Sequence, residues 1–342
     1  MELGIYTFGD IVPDPASGHA VSPTERMAEV IAIARLADEL GLDVFGLGEH
    51  HTLNFVASAT ATVLAAIAAV TTDIRLTSAS TLLGTADPVR TFQEFATVDL
   101  VSRGRAEIVF GRGAFPEHFP LFGYDLNDYD AVFAEKLELF ERLNSETHVT
   151  WSGNFRPALS NAEIAPRPCQ PTLPVWIGAL SPNSIARAAA YGLPLAMPLL
   201  GDTIAGYAGR AALYRDVWER AGHDPADIRI AGFSHFHVAA TASAARDDFY
   251  PYYTNYFSFL SKRGGIPRAT FAQMSAPDGV LVLGSPQEII DRLMLMHETI
   301  GLTRYVGQID VGGQPFSAVA KAIELYATEV APVIPRETQQ SG

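Results

Sequence analysis

Phe45-Gly46-Leu47-Gly48-Glu49-His50-His51-Thr52 is the stretch from which the fold is read. It begins as a strand and runs into a carboxylate and two imidazoles, where a parallel strand of an α/β enzyme delivers its chemistry. With a period of two, Phe45 and Leu47 point to one side while Gly46, Gly48 and His50 point to the other. Large apolar side chains then pack outward, small ones leave an open lumen, and His50 stands at the mouth of a pocket. Adjacent histidines cannot both face a lumen from one regular strand, so His50 is the candidate reacting group and His51 faces a loop or helix.

Working outward, strand-like runs occupy residues 2–8, 43–49, 74–81, 105–110, 174–178, 194–198, 228–238 and 305–311. Helical patterns such as 27–40, 89–101, 129–143 and 204–221 lie between them. This alternation predicts one α/β domain over residues 1–342, a (β/α)8 TIM barrel with insertions after strand 4 and after strand 7. An open doubly wound sheet is the rival, and no Gly-rich dinucleotide loop follows the first strand to support it. Helix starts repeat one pattern: Ser22-Pro23-Thr24-Glu25, Asp87-Pro88, Ser181-Pro182 and Ser285-Pro286-Gln287-Glu288. Each places an N-cap before a proline, and two add a capping-box glutamate. The expected insertions are 148–170, irregular or a hairpin, and 249–278, rich in aromatics, Gly and Pro. Both are candidate lids or pocket walls.

The 342 residues are 48% hydrophobic, carry a formal net charge of -14 and include one cysteine, Cys169. The acidic balance opposes attraction to nucleic acid or anionic membranes. A lone cysteine excludes an internal disulfide and a Cys-based zinc site and points to a reducing compartment. The chain opens on a strand-like segment without a leader pattern, and the alanine-rich run 62–70 falls far short of the roughly 20 residues that cross a bilayer. A cytoplasmic protein is expected.

Three more segments carry possible chemistry. In Gly111-Arg112-Gly113, an arginine between two glycines past a strand end suits a phosphate, or forms a surface ion pair with Glu117. In Val175-Trp176-Ile177-Gly178-Ala179-Leu180-Ser181-Pro182-Asn183-Ser184, a strand passes into a serine-capped helix. Its first-turn N–H groups, with Ser181 and Ser184, offer an anion site or simply start a helix. On neighbouring barrel strands, Arg112 and Ser181 would grip one phosphate from two sides. Gln308-Ile309-Asp310-Val311-Gly312-Gly313 ends the last strand with glycines that admit a ligand ring or turn the chain. His235 and His237 share one strand face and either line the pocket or are structural. No second His-x-His or evenly placed carboxylate set completes a metal site.

Together these segments resemble the bacterial-luciferase-like flavin monooxygenases, nearest to their uncharacterised oxidoreductase branch. The resemblance covers about residues 2–332 and rests on the order of Gly48-Glu49-His50-His51, Asp87-Pro88-Val89-Arg90, Ser102-Arg103-Gly104-Arg105 with Gly111-Arg112-Gly113, Pro174-Val175-Trp176-Ile177-Gly178, and Glu329-Val330-Ala331-Pro332. It implies a barrel, often a homodimer, that binds reduced FMN at its C-terminal face beside a small organic substrate, with a separate NAD(P)H flavin reductase as partner. Arg112, the Gly178-Ala179-Leu180-Ser181 turn and Ser184 would hold the FMN phosphate, and Glu49 would border the flavin. Ala79-Ser80 falls where the family often has a non-proline cis peptide beneath the flavin ring. His50 falls on the catalytic histidine, a general base or peroxide-stabilising group with a pKa near working pH. Light-emitting members carry an aspartate where this chain has His118, beside Glu117, and an aromatic hydroxyl where it has Phe115, so light emission is not expected. A dehydrogenase using the deazaflavin coenzyme would want a more basic rim. A non-catalytic flavin-binding protein and, last, a metal hydrolase are the other readings. The aromatic stripe Phe249, Tyr250, Tyr252, Tyr253, Tyr256, Phe257 and Phe259 is either a substrate wall or plain core.

Overall fold

A computed structural model of the chain describes residues 1–113, 118–261, 264–334 and 338. Its strands are β1 (Glu2–Thr7), β2 (Val44–Leu47), β3 (Arg75–Ser78), β4 (Ala106–Phe110), β5 (His148–Trp151), β6 (Leu159–Glu163), β7 (Val175–Gly178), β8 (Leu195–Pro198), β9 (Ile230–Val238), β10 (Val282–Gly284) and β11 (Arg304–Gln308). Eight of them pair in parallel around a closed ring, β1-β2-β3-β4-β7-β8-β9-β11 and back to β1. The helices are α1 (Pro23–Glu39), α2 (Thr60–Ala68), α3 (Pro88–Ser102), α4 (His118–Leu121), α5 (Tyr129–Ser145), α6 (Pro182–Ala190), α7 (Ile204–Arg220), α8 (Ala242–Ser261), α9 (Arg268–Met274), α10 (Pro286–Ile300) and α11 (Phe316–Leu325). The expected (β/α)8 barrel is therefore the observed fold, and its eight strands fall within the runs read from the sequence apart from an end residue at Arg304.

Strand alternation builds two apolar layers. Outward side chains such as Ile5, Phe45, Leu47, Leu76, Phe110 and Ile177 join the helices in one large core. Inward ones, including Tyr6, Val109, Trp176, Phe233 and Val306, plug the lumen. The helix starts behave as read: Ser22 and Ser285 form capping boxes, and Asp87 and Ser181 accept first-turn N–H bonds.

The insertion after the fourth barrel strand is the antiparallel hairpin β5–β6. The one after the seventh, for which the sequence showed only aromatics, Gly and Pro, is largely helical. The 20-residue α8 runs through Pro251, and Gly264, Gly265 and Pro267 lie between α8 and α9. A helix buried on an aromatic face tolerates one proline because packing outweighs a lost hydrogen bond. β10 has no sequence signature, since three residues are too few to show alternation. It pairs with the upper half of β9, whose lower half pairs with β11. Among the described residues no helix is long and apolar enough to cross a membrane.

Candidate active site

The C-terminal ends of the strands gather most of the residues expected from sequence. Past β2, Glu49 lies across the end of β3: its N–H donates to the Ser80 carbonyl at 3.3 Å, while its carboxylate accepts from the Leu82 N–H at 2.9 Å. The other oxygen of Glu49 meets His51 Nε2 at 2.8 Å. His51 thus faces a loop and steadies Glu49, as strand alternation requires. The Ala79–Ser80 peptide is cis. Gly48 and Gly111 keep this side of the mouth thin. A Cβ on Gly48 would lie 2.2 Å from the Phe8 ring, and one on Gly111 would lie 2.2 Å from Ser80 Oγ.

His50 occupies the inward position. Its ring packs against Phe8 at 4.4 Å and Phe55 at 4.3 Å between centroids, and its N–H donates to the Ala57 carbonyl at 3.1 Å. Burial pushes the imidazole pKa down to about 3, with smaller contributions from His51 and His118. The expectation of a pKa near working pH is therefore corrected: aromatic burial keeps His50 neutral.

On the next strands, Phe110 pairs with Ile177, so Arg112 and Ala179 follow at neighbouring strand ends. A Cβ on Gly178 would contact the Phe110 carbonyl at 3.2 Å. Arg112 is exposed, with its guanidinium 5.5 Å from the centre of the Tyr129 ring. Among the described residues it makes no ion pair, and the alternative partner Glu117, like Phe115, lies outside them. Ser181 caps α6, accepting from the Ser184 N–H at 3.3 Å and donating to Ser184 Oγ at 2.9 Å. Leu180 is exposed. Arg187 on α6, which like Arg112 lies near Tyr129, is paired with Asp130 at 3.0 Å. His118 Nε2 lies 3.3 Å from the Arg112 carbonyl, and its ring is 6.2 Å from that of His51, linking the two clusters.

The opposite side of the mouth was largely missed. Asp310 accepts from Thr7 Oγ1 at 2.7 Å and pairs with Arg26. Arg26 also donates to the Asp10 carbonyl at 3.0 Å and pairs with Glu29 at 3.0 Å. Burial and the neighbouring Asp310 raise Asp10 to about 7 despite Arg26, and burial raises Asp310 as well. Asp10 follows β1 and Asp310 follows β11 just as Glu49 follows β2, so polar residues after every strand end were the available signal. His235 bonds Tyr253 on α8 at 3.2 Å, and His237 stacks on Phe249 at 5.0 Å. Both are buried and held neutral, with pKa values near about 4.

This architecture has relatives. Residues 1–303 match the family described as luciferase-like monooxygenase. An alkanal monooxygenase alpha chain of Photorhabdus luminescens is 24% identical over 94% of this chain and 95% of its own length. A second match to such a chain from that organism is 28% identical but takes in 59% of this chain and 56% of the relative. The oxygenase component of a flavin-dependent trigonelline monooxygenase from Acinetobacter baylyi is 26% identical over 89% of both chains. The monooxygenase RslO1 of Streptomyces bottropensis superposes with a TM-score of 0.85 at 25% identity, over 97% of this chain and 99% of that one. The fold is shared at TM-score 0.79 and 18% identity with the oxygenating constituent of 3,6-diketocamphane monooxygenase from Pseudomonas putida, solved with FMN, over 98% and 99% of the chains. It is shared at TM-score 0.72 and 16% identity with a deazaflavin-dependent secondary alcohol dehydrogenase, over 98% and 99%. The chain described here belongs to the luciferase-like monooxygenase family.

Proposed function

We propose that this protein is an FMN-dependent monooxygenase, one barrel domain that receives reduced FMN from a separate NAD(P)H flavin reductase and passes one atom of dioxygen to a small organic substrate. The observation that carries this reading is the convergence at one barrel mouth of exposed Arg112, the serine-capped start of α6 and inward-facing His50. The donors fit a phosphate: a fixed guanidinium, two serine hydroxyls and the orphan N–H groups of a helix start. Gly48, Gly111 and Gly178 let Phe8, Ser80 and the Phe110 carbonyl pack directly against the backbone along this edge, where the flat ring would lie.

In this reading Arg112, Ser181 and Ser184 bind and orient the phosphate, while the Gly178-Ala179-Leu180 turn lets it approach α6. Glu49, tied to His51 and Leu82, holds the loop beneath Ala79-Ser80 in place. Bound reduced FMN would supply the electrons that activate dioxygen. His50 would offer a neutral imidazole to the reacting oxygen as a hydrogen-bond partner, and the aromatic face of α8 would exclude water. The lone cysteine supports a reducing cytoplasm. Exposed Val70, Leu100 and Val101 near the ends of the packed helices α2 and α3 support a homodimer through that face.

The test is substrate-stimulated consumption of photoreduced FMN in air. Product carrying one oxygen atom from dioxygen would support the reading. Oxygen-independent turnover with the reduced deazaflavin coenzyme would replace it with a dehydrogenase, and tight flavin binding without turnover would replace it with a carrier.

A further inference from the structure

The lumen is chemically lopsided at one level. Strand register places Tyr6 of β1 beside Gln308 of β11, and Gln308 beside His235 of β9. On its other side Tyr6 is in register with Gly46 of β2, which is followed by Thr77 of β3. One arc therefore carries a phenol, an amide and an imidazole. The other carries a glycine and a threonine, and above it come Gly48 and Ala79. A flat cofactor suits the thin arc, which leaves the polar arc for what reacts with it.

Among the buried side-chain polar atoms that lack a well-formed hydrogen bond, four lie on that polar arc, both amide atoms of Gln308 and one carboxylate oxygen each of Asp10 and Asp310, whereas Thr81 at the end of β3 adds one on the other side. Gln308 is wholly buried and lies within hydrogen-bonding reach of the Tyr256 hydroxyl of α8. Each such atom destabilises the fold unless a partner is supplied. His235 spends Nδ1 on Tyr253, and the rings of Tyr253, Tyr256 and Phe257 stand edge-on to it at 5.3, 5.9 and 5.8 Å.

We infer that this arc of β1, β9 and β11 with α8 is the substrate half of the site, where Gln308, His235 and Tyr256 select a neutral, ring-shaped substrate through a hydroxyl or ketone oxygen. The inference rests on the monooxygenase reading and names its substrate class. A ring matches the aromatic walls. An oxygen satisfies an amide that can donate and accept. An anion would meet Asp10 and Asp310, and the place of a cation beside those carboxylates is taken by Arg26. An unbranched aldehyde offers the amide an acceptor but leaves the aromatic walls without a ring to pack against.

The experiment is calorimetric binding of three probes to the FMN-loaded protein: 2-naphthol, decanal and N-methylquinolinium. The expected order has 2-naphthol tightest, with Gln308→Leu and His235→Phe each weakening it roughly tenfold while FMN affinity stays unchanged, as loss of one buried hydrogen bond implies. Tyr256→Phe, which removes one hydroxyl from a helix, is expected to weaken it severalfold and serves if the other variants fail to fold. Equal or tighter binding of decanal or N-methylquinolinium would overturn the inference, as would 2-naphthol binding indifferent to all three substitutions. FMN binding with no probe bound overturns this inference and leaves the monooxygenase reading standing, whereas failure to bind FMN removes both.

Discussion

Two buried arginine-carboxylate clusters sit at opposite ends of one barrel, and they are finished differently. On the N-terminal floor, Arg304 contacts both oxygens of Glu107 at 2.5 and 3.2 Å, bonds Glu2 at 2.8 Å and lies 4.5 Å over the Trp176 ring. Arg75 adds a third bond to Glu107 at 3.1 Å. At the C-terminal mouth, Arg26 serves Asp10, Asp310 and Glu29, and two carboxylate oxygens keep no hydrogen bond. A saturated cluster closes a structure, whereas an unsaturated one is held by its surroundings and has capacity left for a ligand. That asymmetry agrees with the general division of labour in these barrels, stability below and chemistry above.

The comparison breaks most visibly at the floor. Arg304→Met leaves Glu107, which is buried, with Arg75 alone, and is expected to cost about 3–5 kcal/mol in denaturant unfolding. Asp310→Asn at the mouth leaves Arg26 paired with Asp10 and Glu29 and is expected to cost clearly less. Equal losses would mean that the two clusters do the same job. In the folded fraction, the floor substitution should leave FMN affinity unchanged.

Next in size is Arg112→Ala, which should weaken FMN binding roughly 10- to 100-fold, the range for one charge-assisted contact, without moving the unfolding midpoint. A lowered midpoint with unchanged affinity would make Arg112 structural.

The pH dependence sharpens the contrast. His50, His235 and His237 are depressed to about 3, about 4 and about 4, so the unfolded chain binds their protons first. Stability should fall as pH drops from the ordinary histidine value near 6.5 toward those values, by at most roughly 3 kcal/mol each for His235 and His237 and about 5 kcal/mol for His50. Asp10, raised to about 7, acts in the opposite sense: its contribution is full below the ordinary carboxylate range and is lost as pH rises through about 7. Three histidines against the Asp10–Asp310 pair predicts net acid destabilisation. His237→Phe, beside Phe249, should flatten the acid limb of unfolding midpoints measured from about pH 7 to about pH 5. An unchanged limb would show that His237 does not remain neutral. Smallest of all, Ser181→Ala should cost about 1 kcal/mol through the lost α6 cap and reduce FMN affinity a fewfold.

The fold was legible because its signals are local and repeated. Phe45 and Leu47 against Gly46 and Gly48 give both faces of β2, and Ser22-Pro23 or Ser285-Pro286 announces each helix. The side of the mouth that carries Arg112 and Ser181 was legible for the same reason, since both lie within a few residues of recognisable strand ends. The polar side was not, because Asp10, Arg26 and Asp310 meet across hundreds of positions and only barrel closure joins them. The place of His50 just past β2 was readable, but its neutral state was not, since the packing of Phe8 and Phe55 around the ring sets it. α8 was not read as a helix because Pro251 and a run of aromatics hide one whose stability comes from burial.

The most direct test of the account is an anaerobic titration of the wild-type and Arg112→Ala proteins with photoreduced FMN, followed by admission of air and substrate. The account predicts saturable binding of reduced FMN that is tighter than that of oxidised FMN, at least tenfold weaker binding in the variant, and oxygen consumed in step with oxygenated product. Failure of the wild-type protein to bind reduced FMN, or binding indifferent to Arg112, would contradict it.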